Sequence, residues 1–183
     1  IVPDARLVNL SSRGIVGSGA DVVIAGFVVD GTGSKRLLLR GVGPTLEAWG
    51  VDGVLERPVL RLMRASEGLE VNQGWTTNPD AASIAGFGVE VGAFDLLPGG
   101  NDSALLVELP RGEYTAQLSG AGTTTGVGLI EIYDLEPSAS ARLVNLSTRA
   151  KVLTGSGVLI PGYVIDGVAP RKVLIRAVGP TIA

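Results

Sequence analysis

The stretch Ala5–Gly31 reads ARLVNLSSRGIVGSGADVVIAGFVVDG, and Ala141–Gly167 reads ARLVNLSTRAKVLTGSGVLIPGYVIDG. The correspondence runs on without a gap through Ser34–Leu46, SKRLLLRGVGPTL, and Pro170–Ile182, PRKVLIRAVGPTI. The two copies lie about 136 residues apart, and about half of their positions are identical. Most exchanges keep their character: Phe27 becomes Tyr163, Val29 becomes Ile165, Leu37 becomes Val173 and Leu39 becomes Ile175. Short solenoid repeats have units of about 20–50 residues, so a period this long means that each unit is a small domain with its own core. Residues 1–136 are therefore expected to form one complete unit. Residues 137–183 then hold the linker and the first third of a second copy, with Leu135–Ser140 as the short, Pro-stiffened connection. The apolar runs Val158–Ile165 and Val173–Val178 would be bare in a third of a unit. At least one copy is thus expected to pair outside its own unit, by strand exchange.

Runs of β-branched and Leu-rich residues, punctuated by Gly, Pro, Asn and Asp, predict strands along most of the chain. They fall near Arg6–Ser11, Asp21–Asp30, Lys35–Val42, Val59–Arg64, Ser103–Leu109, Glu113–Ser119 and Val127–Asp134. In the first of these, alternation puts Leu7, Asn9 and Ser11 on one face and Val8 and Leu10 on the other. Leu60, Leu62, Leu105, Val107 and Leu109 alternate in the same way against polar neighbours. Asp30–Gly33 and Pro110–Gly112 read as hairpin turns. One stretch, Pro79–Ala85, reads as a helix, with Asn78 as cap and Pro79 in the first helical position. Seven to nine short strands with one short helix predict an all-β fold, a β-sandwich of jelly-roll-like kind.

Composition narrows the chemistry. Hydrophobic residues make up 45% of the 183 residues and charged residues 18%, which excludes a disordered tail. The longest apolar run, Val22–Val29, is far short of the about 20 residues of a membrane helix, so no membrane insertion is expected. A net charge of −3 with scattered Lys and Arg argues against nucleic acid as a partner. With no Cys and no His, thiol nucleophiles, the commonest general base and the usual zinc ligands are all missing. The chain opens at Ile1 without a Met or a signal peptide and is expected to be an excerpt of a longer precursor.

Few candidate sites remain, and catalytic residues are not among them. Asp95, Asn101 and Asp102 flank Pro98-Gly-Gly100 and form the best oxygen-rich loop for a calcium ion, although without EF-hand or Asp-x-Asp spacing the loop reads first as a plain turn, and no other cofactor is expected. Trp49 and Trp75 are the two tryptophans in an aromatic-poor chain. Trp75, in the polar loop Asn72–Asn78, is the candidate platform for stacking a sugar ring, against the alternative that each Trp plugs one end of the core. Gly31–Lys35 lacks the spacing of a phosphate loop and reads as a turn, as does Gly41–Thr45 with its recurrence at Ala177–Thr181. Arg6, Arg13 and Arg40 recur as Arg142, Arg149 and Arg176 and are expected to pair with carboxylates or strand-end carbonyls.

The segment Pro58–Glu136 carries PVLRLMRASEGLEVNQGW, SALLVELPRGEYTAQLSG and VGLIEIYDLE, with Gly112-Glu-Tyr114-Thr-Ala-Gln-Leu118 as its clearest motif. It resembles the bacterial pre-peptidase C-terminal domain, a secreted β-sandwich. That resemblance implies an extracellular, non-catalytic accessory module. Two readings of function follow. The first is a non-enzymatic structural repeat of a surface fibre, stalk or large surface protein, with neighbouring copies of itself as partners. The second is a carbohydrate-binding module, with polysaccharide as partner, beside a secreted enzyme or adhesin.

Overall fold

The alternating apolar runs form strands in the computed structural model, which describes residues 5–137 and 140–179. Residues 138 and 139 of the expected linker and Thr181 of the second Gly-Pro-Thr lie outside the described residues. The strands are β1 (Arg6–Val16), β2 (Val23–Val42), β3 (Pro58–Arg64), β4 (Glu67–Asn72), β5 (Ser103–Gly120), β6 (Gly126–Asp134), β7 (Arg142–Arg149) and β8 (Ile160–Asp166). Among the described residues a single α-helix, α1 (Ala81–Glu90), accompanies several short 3-10 turns. The fold is all-β. All eight strands join one hydrogen-bonded sheet in the order β4-β3-β5-β2-β6-β1-β7. Because β7 also pairs with β2, the sheet closes on itself in barrel fashion, and β8 lies along β1.

Two of the expected hairpins are not hairpins. Asp30–Gly33 lies inside the 20-residue β2, and Pro110–Gly112 lies inside the 18-residue β5. The two long strands pair along their whole length, and the register jumps from Val29↔Gly112 to Ser34↔Pro110. The extra residues on β2 form a bulge at which both strands bend together, the corner of a closing sheet. Gly31 sits there at φ 106°, in the left-handed region, and a Cβ on it would collide with the Ser140 carbonyl. Turn residues and bulge residues are the same residues, so the local sequence reads equally well either way.

The helix also differs from expectation. It begins at Ala81 rather than Pro79 and runs on to Glu90 through Gly86 and Gly88. Asn78 does not cap it. Its side-chain Oδ1 accepts the Asp80 backbone amide at 2.9 Å, and its side-chain Nδ2 donates to the Ala104 carbonyl at 3.0 Å. The β4 strand was not expected at all. It is an edge strand on β3, and its Leu69 and Val71 are exposed, so it carries no buried alternation to read.

Two apolar clusters lie on opposite faces of the sheet. One contains Leu10, Phe27, Leu37, Leu39, Leu60, Leu62, Leu105 and Ile132 inside the curl. The other contains Leu38, Val42, Ala104 and Tyr133, covered by Leu46, Ile84 and Leu96 from the 3-10 turn Pro44–Trp49, α1 and the loop after it. Strand segments covered on both faces read as unbroken apolar runs, which is why Leu37-Leu-Leu39 does not alternate and why the apolar Leu106 stands between the alternating Leu105 and Val107.

Candidate functional site at the joint between the copies

The two copies do not pair strand for strand within themselves. The seven pairs between β1 and β8 run from Arg6↔Asp166 through Leu10↔Tyr163 to Arg13↔Ile160. The seven pairs between β2 and β7 run from Asp30↔Arg142 through Phe27↔Leu146 to Ile24↔Arg149. These are the same pairs with the copies interchanged. Each ladder also carries its irregularity at the same place, skipping Val8 in one and Val144 in the other. The first strand of each copy therefore lies against the second strand of the other.

Reciprocal contacts of this kind define an isologous interface, in which equivalent positions meet on the two-fold axis. Three such meetings are present. Leu7 bridges Leu143, Ile15 bridges Lys151, and Ser12 Oγ lies 2.7 Å from Thr148 Oγ1 in a hydrogen bond spanning 136 residues. Gly26 faces Ser147 and its counterpart Gly162 faces Ser11, and a Cβ on either glycine would sit only 2.6 or 2.9 Å from the serine Oγ. In both copies the glycine leaves room for the hydroxyl of the facing serine, the nearest atom that a Cβ there would meet. Sequence reasoning passed over Gly26 and Ser12. Their identical or near-identical recurrence at 162 and 148 was the signal available.

Polar contacts rim the joint. Lys151 pairs with Asp21 at 3.0 Å, Arg6 Nη1 donates to the Pro137 carbonyl at 2.6 Å, and Arg171 Nη1 donates to the Ala5 carbonyl at 3.4 Å. Behind the joint, two cations are buried between β2 and β6. Lys35 meets Asp134 at 2.9 Å, both side chains being almost wholly buried, and also donates to the Glu136 carbonyl at 2.7 Å. Arg40 lies 3.1 Å from Glu131, donates to the Phe94 carbonyl at 2.8 Å and stacks over the Phe94 ring at 4.4 Å. Tyr133 donates to Glu131 at 2.8 Å. Burial raises the Glu131 carboxyl above its usual range, and the opposing pull of Arg40 does not cancel it. The Tyr133 hydroxyl is raised as well, by burial first and then by the Glu131 charge.

The residues singled out in sequence lie elsewhere. Asp95 and Asn101 are exposed, whereas Asp102 is fully buried. Asp102 accepts the Gly43 amide at 2.8 Å and the Thr45 hydroxyl at 2.5 Å, so its carboxylate locks the Gly43-Pro-Thr45 turn. Among the described residues no three acidic side chains are grouped to hold a metal ion. Trp75 is half-buried against the second apolar cluster and donates its indole N–H to the Leu97 carbonyl at 3.1 Å. Trp49 is the exposed one, at 66%, tilted against Phe94 with ring centres 5.6 Å apart. A polar cavity of about 280 Å³ lies between Arg57, Gln73, Thr76, Thr77 and Asn101, and neither tryptophan lines it. No helix among the described residues is long and apolar enough to cross a membrane.

No protein-family model matches the chain, and no curated protein matches it either.

Proposed function

We propose that the chain is a non-catalytic structural repeat of a surface fibre, stalk or large surface protein. Its jelly-roll-like β-sandwich units would assemble by strand pairing between copies. The observation that carries this reading is the pair of interchanged ladders, β1 with β8 and β2 with β7, in one common register. A joint made of main-chain hydrogen bonds and buried Leu143 is a mechanical connection, in contrast to a linker that merely tethers two bodies. The extracellular setting rests on the resemblance of Pro58–Glu136 to secreted sandwich domains. An antibody raised against the chain should label intact, unpermeabilised source cells. Labelling only after permeabilisation would overturn the surface assignment.

The second reading, a carbohydrate-binding module, is favoured by the exposed indole of Trp49. It requires retention on insoluble cellulose or xylan that Trp49→Ala abolishes. A wild-type chain that passes through both unretained would remove it.

A further inference from the structure

We infer that residues 172–178 are the receiving strand for a further β5–β6 pair, a segment of the character of Ser103–Asp134 carried by another copy of the repeat. The inference rests on the proposal that copies assemble by strand pairing, and it names the segment and the register.

In the first copy, residues 37–42 run between β5 and β6. Leu38 is paired to both Leu106 and Tyr133, and Arg40 to both Ala104 and Glu131. Leu37, Leu38, Leu39 and Val42 are accordingly all 0% exposed. Their counterparts have no ladder partner among the described residues, and the difference in exposure is large. Val173 and Val178 are each 45% exposed, Leu174 85% and Ile175 72%. Substitution has kept the apolar character of every one of these positions, which solvent exposure does not require. Phe27 stacks on Tyr114 of β5 with ring centres 5.6 Å apart, whereas its counterpart Tyr163 is exposed along β8.

Charge specifies the occupant further. Arg40 is held in its buried place by Glu131 of β6 together with the carbonyl and ring of Phe94. Its counterpart Arg176 is exposed and takes part in none of the described ion pairs. A strand that covers residues 172–178 must therefore bring a carboxylate to Arg176. This chain's own β6 is already held between β1 and β2, and its β5 between β2 and β3. A second β5–β6 pair is the occupant with the matching pattern: two strands, apolar on both faces, with one acid at the place of Glu131.

The test extends the full chain by a second run of its own residues 48–136, giving two whole units. Hydrogen exchange is compared before and after, with and without Arg176→Glu. In the extended chain the amides of residues 172–178 should exchange at least about 100-fold more slowly than in the original. Arg176→Glu should lower its Tm by on the order of 10 °C while leaving the original chain unchanged. Changing the appended copy's counterpart of Glu131 to Arg should restore part of that loss. Unprotected amides at 172–178 in the extended chain, with residues 6–13 and 142–149 still protected, would overturn the inference and leave the strand-exchange reading standing. Loss of protection at 6–13 and 142–149 as well would bring down both.

Discussion

One constraint at the joint is a missing side chain. A methyl group on Gly26 would press on Ser147 Oγ, an exposed hydroxyl that must rotate aside, and the expected cost is up to about 1 kcal/mol. Ser147→Ala removes the obstacle and by itself should change stability by no more than about 0.5 kcal/mol. Gly26→Ala with Ser147→Ala should therefore recover most of the loss. The coupling, read from urea midpoints across the double-mutant cycle, should be about 0.5 kcal/mol or more. Additive effects would mean that β2 and β7 do not meet in this register. The buried Glu131 makes a separate prediction about pH. Its carboxyl holds a proton more tightly folded than unfolded, because burial outweighs the attraction of Arg40. Its contribution is thus full below the ordinary value of 4.5 and is lost as pH rises through the raised one. Glu131→Gln lacks that dependence, so the stability of wild type relative to the variant should shrink as pH rises above the ordinary carboxyl value of 4.5. A margin that grows over this range would show that the ion pair with Arg40 wins instead.

Among the elements, β7 and β8 complete the edges of β2 and β1, so removing them should have a definite result. A chain ending at Glu136 keeps both halves of the exchange but has no second copy to trade with. Two such chains satisfy each other by the same reciprocal pairing, and sedimentation should find a dimer whose melting temperature rises with concentration. A monomer as stable as the full chain would show that the joint contributes nothing. Legibility in the sequence also divides by element. Alternation in Leu60, Leu62, Leu105, Val107 and Leu109 marked residues that are all buried in the first cluster. The bulge at Asp30–Gly33 and the bend at Pro110–Gly112 passed for turns, because what separates a bend from a turn is the strand lying opposite, and local sequence does not contain it. The same limit hid the role of Asp102. Its three hydrogen-bonding partners lie in Gly43 and Thr45, far back along the chain, whereas its near neighbours suggested an ion-binding loop.

For the whole molecule, the repeat announced that two copies exist but not how they are related in space. The relation is closed. β1 of the first copy takes the second strand of the other, β2 takes the first, and neither retains a free edge of that kind for a third copy. A heterologous contact would pass from unit to unit indefinitely, whereas an isologous one ends with two. This joint therefore imposes parity on any longer array. Units are satisfied in twos, an even number leaves none over, and an odd number leaves one unit whose first two strands must find their match in another molecule.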